Sequence, residues 1–217
     1  MRNLVSLFVQ DFRLIMKFFI VLVFSIVLFF SFFLFQFIFE HRIKKERKVK
    51  ILRLLITDKC LRNCKDCCNK QWNLRKLPVE NDYSKYSEIL LTGGEPLLFP
   101  YSVIKVIGEI RNFTQGTKIY LYTAMVENAN KVLMVLDFLD GLTVTLHEQK
   151  DVEYFSKLND LLQCNNYSKK SLRLNIFSGV DIGKINLSCW KVKKDIVWIE
   201  NCPLPKNEVF KRYKMLF

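Results

Sequence analysis

Cys60-Leu61-Arg62-Asn63-Cys64-Lys65-Asp66-Cys67 sets three thiols at a C-x3-C-x2-C spacing, with Cys68 immediately after. The stretch follows an apolar run, Ile51 to Thr57, that reads as a buried strand. A loop of this kind forms a compact cup of sulfur donors. It suffices for three irons of a four-iron cluster, which ordinarily takes four thiolates. The corner without a protein ligand is then open, and open corners are where metal chemistry occurs. Closely spaced cysteines also suit zinc.

A second motif follows at Thr92-Gly93-Gly94-Glu95-Pro96, again after a short apolar strand, Glu88 to Thr92. Alone, Gly-Gly-Glu-Pro is any turn. Together and in this order, the two motifs resemble the radical S-adenosylmethionine superfamily over about residues 49–217. The resemblance implies that Cys60, Cys64 and Cys67 hold a [4Fe–4S] cluster whose fourth iron chelates S-adenosyl-L-methionine. It implies reductive cleavage of that cofactor to a 5′-deoxyadenosyl radical, which abstracts hydrogen from a substrate. One position departs from the superfamily pattern. Asp66 stands where relatives carry an aromatic residue beside the adenine.

Further from the motifs, the composition describes two objects. Half of the 217 residues are apolar, enough for a substantial core, but many of the nineteen phenylalanines crowd into the first forty positions. From Phe18 to Phe39 there is no charge. As a helix this run is about 33 Å long, enough for a hydrocarbon core of about 30 Å. His41 to Lys50 then holds six basic residues against one acid. That asymmetry predicts a transmembrane anchor with the N-terminus outside and the following domain on the cytoplasmic side of the inner membrane. The basic run also suits anionic lipid heads. The expected organisation is a lead over 1–17, a transmembrane helix over 18–39, a basic linker over 40–48 and one domain over 49–217. An open reading frame begun too far upstream would also yield such a leading segment.

Within the domain, apolar strands alternate with helical patterns. Strands are expected at Ile51 to Thr57, Glu88 to Thr92, Lys118 to Thr123, Leu142 to His147, Ser171 to Phe177 and Ile196 to Ile199. Helices are expected near Cys67 to Trp72 and at Val103 to Phe113, Val126 to Leu139 and Val152 to Leu162. Alternation of this kind implies a parallel sheet with right-handed crossovers. About 170 residues are too few for an eight-unit barrel of about 250. The fold class expected is α/β, an incomplete, open (βα)6-type TIM-like barrel after a single N-terminal transmembrane helix. The tail from Cys202 reads as an irregular cap with a short basic end.

Chemistry in such folds sits at the carboxyl ends of strands. Gly93 and Gly94 would let backbone approach a ligand closely. Glu95 would accept from the S-adenosylmethionine ammonium, and Pro96 would stiffen the turn. Thr123, Thr145, His147, Arg173 and Asn175 are further candidates for cofactor or substrate contact. Arg173 suits a carboxylate bidentately, and His147 could carry a proton. Cys68, Cys164, Cys189 and Cys202 read as ordinary thiols, and an oxygen-labile cluster calls for a reducing compartment.

The leading function is a small radical enzyme acting on an unknown substrate, a protein, peptide or small molecule, with an electron donor such as a flavodoxin or ferredoxin. The alternative is a non-enzymatic, membrane-anchored iron–sulfur or zinc module. A basic nucleic-acid binder ranks third. The lysines are spread along the chain and no recognition motif is present.

Overall fold

The computed structural model describes residues 22–38, 51–164 and 167–217. The chain divides into two compact units, residues 1–48 and 49–217. In the first, residues 22–38 form a helix, α1, whose side chains are all exposed. The expected transmembrane span of 18–39 therefore forms helix where it is described, and its two ends lie outside the described residues. So do the lead and the basic linker. No helix among the described residues is long and apolar enough to cross a membrane.

The second unit is α/β. Its strands are β1 (Ile51–Thr57), β2 (Glu88–Gly93), β3 (Lys118–Thr123), β4 (Gly141–Leu146), β5 (Ser171–Phe177), β6 (Lys191–Ile196) and β7 (Glu208–Arg212). They form one sheet in the order β6-β5-β4-β3-β2-β1-β7, and every pairing is parallel. Helices α2 (Pro100–Phe113), α3 (Ala129–Leu136) and α4 (Asp151–Cys164) follow β2, β3 and β4.

Alternation along each strand divides the sheet into two faces. Leu52, Leu54 and Ile56 of β1, Ile89 and Leu91 of β2, and Leu172, Leu174 and Ile176 of β5 are buried. They share one core with Val103, Ile107 and Ile110 of α2, Val132 and Val135 of α3, and Phe155 and Leu158 of α4. The other face carries the more polar residues, among them Arg53, Thr92, Tyr122, Thr145 and Asn175, and looks into a cavity.

The sequence expectation fails at the two edges. The sixth strand runs over Lys191–Ile196, not Ile196 to Ile199. The expected cap contains a seventh strand, which pairs with β1. Both are edge strands with little apolar content, so tertiary pairing rather than their own pattern makes them strands. The expected helix after Cys67 is a single 3-10 turn, Cys68–Lys70. No helix separates β5 from β6 or β6 from β7, so the strand–helix alternation lapses in the last third.

Candidate functional site

The glycine pair explains how the two motifs meet. A Cβ on Gly93 would lie 2.1 Å from the Thr57 carbonyl oxygen, and one on Gly94 would lie 2.0 Å from that of Lys59. Gly93 also takes φ of 148°. The Gly94 amide donates to the Thr57 carbonyl at 2.8 Å and the Glu95 amide to that of Lys59 at 2.7 Å. The close approach these glycines allow is thus to the backbone leading into Cys60, where the sequence reading had a ligand. Asn69 donates to the Gly93 carbonyl and ties the far end of the cysteine loop to the same strand end.

Glu95 is 2% exposed. Its Oε1 accepts from the Thr123 hydroxyl at 2.6 Å and the Leu97 amide at 3.2 Å, and its Oε2 from the Ala124 amide at 2.9 Å. Burial pushes its carboxyl up to about 7 against these bonds. A carboxylate has about four acceptor positions, so at most one remains for a ligand. Pro96 is buried and opens a 3-10 turn. It does not line the cavity.

Cys60, Cys64 and Cys67 are free thiols. All three line one cavity of about 340 Å3, with Gly93, Gly94 and Glu95 on its wall. Thr123, Thr145, His147 and Asn175 line it too. Arg173 does not; its guanidinium stacks over the Tyr120 ring at 4.9 Å. The three thiols do not form a ready cage. Among the described residues no group of three or more His, Cys, Asp or Glu side chains is gathered closely enough to hold a metal ion. Cys60 is turned onto its own loop, where its sulfur accepts from the Arg62 amide at 3.4 Å. Burial of that sulfur raises the Cys60 thiol, against the Arg62 bond, with Glu95, Cys64 and Cys67 pushing the same way as burial. The donor chemistry still fits iron or zinc, since three thiols stand on one short loop beside a glycine-lined wall.

Several site residues carry no signal in the motifs. Arg62 lies inside the cysteine loop and its side chain is 10% exposed. It reaches both Asp151 carboxylate oxygens at 2.8 Å and the Ala124 carbonyl at 3.0 Å. Burial works against its charge, but Asp151 outweighs it and raises the guanidinium pKa. The Arg62 Nε is buried without a partner. Asp151 Oδ2 also accepts from the His147 and Glu148 amides. One carboxylate thus closes the β4–α4 turn and fixes the cysteine loop. The signal for it was an acid at a helix start just after a strand, which is common enough to pass unnoticed.

His147 stands with Nδ1 3.9 Å from the Cys64 sulfur. Its ring stacks on Trp198 at 5.1 Å and meets Phe177 edge-on at 4.6 Å. Burial lowers its pKa to about 4, with Arg62 adding to the effect, so at neutral pH it carries no charge. Trp198 belongs to a segment after β6 that roofs the cavity with Val197, Ile199 and Leu204. That segment is fastened by a disulfide between Cys68 and Cys202. This corrects the reading of these two as ordinary thiols, since a separation of 134 residues hides such a pair from sequence. Cys189 is free and exposed. The Cys164 side chain lies outside the described residues.

No family model matches the chain, and a comparison with curated proteins finds no match.

Proposed function

We propose that this chain is a radical enzyme that uses S-adenosyl-L-methionine, built on a partial, open (βα) barrel. One observation carries the reading. Three free thiols of a C-x3-C-x2-C loop and the Gly93-Gly94-Glu95 turn open on one cavity, at the carboxyl ends of adjacent parallel strands.

Cys60, Cys64 and Cys67 would hold a [4Fe–4S] cluster, which when bound would supply the electron that cleaves the sulfonium cofactor. The chain's own part is placement. The glycine pair sets the cysteine loop against β2, and Glu95 holds the ends of β2 and β3 together. Its remaining acceptor position can take an ammonium hydrogen. Thr145 and Asn175 offer hydrogen-bonding groups on the same wall, and the Trp198 segment lines the same cavity. The reading brings with it a small electron donor of the flavodoxin or ferredoxin kind and membrane attachment through residues 18–39.

The test is anaerobic reconstitution with iron and sulfide, then reduction in the presence of S-adenosylmethionine. 5′-Deoxyadenosine should form, and Cys64→Ala should lose both the cluster absorption and the product. A fully reconstituted protein that yields none would refute the reading.

A further inference from the structure

We propose that the cavity face of β5 and β6 is the anion-binding part of the substrate site, where Arg173, Lys191 and Lys193 receive a carboxylate or phosphate group of the substrate. The inference rests on the reading above and names its substrate class.

The sheet register carries it. Arg173 lies directly beside Lys191, and Asn175 beside Lys193. Paired residues in a parallel ladder point to the same side. Leu172, Leu174 and Ile176 are packed into the core, and Asn175 and Phe177 line the cavity. Arg173, Lys191 and Lys193 therefore stand on the same side of the sheet as these residues, beside the cavity lining rather than in it. Neighbouring strands are about 4.8 Å apart and alternate residues about 6.6 Å, so the three cations form one patch.

Among the described residues no ion pair matches that patch, and the nearest acid along β6 is Asp195. Arg53 on the same face is matched by Glu208 at 2.7 Å, and Lys118 by Asp140 at 2.9 Å. Among the described residues, neither Arg173 nor either lysine forms an ion pair, and Arg173 has only the Tyr120 ring beneath it. Like charges set side by side across a ladder are destabilising. An uncompensated conflict of this sort marks a place where function rather than stability sets the residues.

A second observation points the same way. Thr143 pairs in register with Tyr122 on one side and Arg173 on the other. It is 2% exposed, and its hydroxyl has no partner. A buried orphan hydroxyl is costly, and a ligand oxygen held by Arg173 would satisfy it. On β6 the patch ends three residues before Ile196, which lines the cavity with Trp198. An oxyanion gripped by β5 and β6 would leave the rest of its molecule directed toward the cysteine loop.

The full chain is titrated with pyrophosphate and, separately, with glutarate, reading tryptophan fluorescence and calorimetric heat. At least one probe should bind, and which one does so separates a phosphate from a carboxylate. Arg173→Gln should weaken binding about 10-fold. The double variant Lys191→Gln/Lys193→Gln, at two exposed positions, should weaken it several-fold even if Arg173→Gln does not fold. Lys157→Gln on α4 should change nothing. No binding of either probe overturns the proposal, as does binding indifferent to these variants. Displacement of the probe by S-adenosylmethionine also overturns it, because the cations would then serve the cofactor. 5′-Deoxyadenosine formation without anion affinity sinks this proposal alone; anion affinity without 5′-deoxyadenosine sinks the radical reading alone.

Discussion

Arg62 and Asp151 are joined by two parallel hydrogen bonds, each 2.8 Å long, across 89 residues of chain. A planar guanidinium matches a carboxylate in this way and a lysine cannot. Breaking a buried pair from one side costs about 3–5 kcal/mol. Arg62→Gln and Asp151→Asn should each lower stability by about 3 kcal/mol in urea unfolding. Losses below about 1 kcal/mol in both would mean that the pair does not anchor the cysteine loop.

The glycines give a graded prediction. Gly94→Ala places a Cβ against the Lys59 carbonyl, so either the turn or the start of the cysteine loop must move. The expected cost is about 3 kcal/mol or more, in the range of overpacking, with a lower iron content after reconstitution. Gly108 lies inside α2 with nothing within 4 Å of its Cβ position. Gly108→Ala should stabilise by up to about 1 kcal/mol through helix propensity. Equal effects at the two positions, read by urea midpoint, would refute the packing argument.

Glu80 should set the acid limit of the domain. Burial alone would raise its carboxyl, but bonds from Lys211, Tyr86, the Asp82 amide and Lys85 outweigh burial and hold it at about 2. Its ordinary value is 4.5. A depressed acid contributes stability that is complete above the unfolded value and lost as pH falls through the folded one. The contribution, about 2–3 kcal/mol, should therefore vanish between about pH 4.5 and 2. Glu80→Gln should flatten the stability profile in that window and leave its shape near neutrality unchanged. A profile as steep as the wild type's would remove Glu80 from this role.

The Cys68–Cys202 link should report on the cavity roof. Reduction, or Cys202→Ser, frees a segment in which Asn201 and Cys202 hold φ of 58° and 36°. Such a torsion is strained at Cys202, whereas asparagine tolerates it. Trp198 should then leave the His147 ring, and tryptophan emission should shift to the red. Unfolding should become easier by about 2–4 kcal/mol. Emission unchanged by reduction would show that the roof holds without the bond.

What could be read in advance follows what each signal depends on. β1, β3 and β5 were legible to the residue because apolar runs bounded by polar loops record burial on one or both faces. β6, with three lysines in six residues, and β7 are strands only because a neighbour offers a ladder. The cysteine loop and glycine turn were legible because each is local. Arg62 with Asp151, and Cys68 with Cys202, depend on chain segments that meet only after folding. Arg173 is legible as a candidate from its place on β5, but Lys191 beside it is not, since the register of an edge strand cannot be read from its composition.

The pairing of β1 with β7 has a consequence for how the protein is made. Arg53 and Glu208 meet from positions 155 residues apart. While the polypeptide is still emerging from the ribosome, β1 has β2 on one side and an unfilled edge on the other. Its second neighbour arrives only when residues 208–212 clear the exit tunnel. The strand that carries the cysteine loop therefore gains its final frame only after β7 has been made, and a chain shortened before residue 208 would leave that strand open to sticking edge-on to another nascent copy.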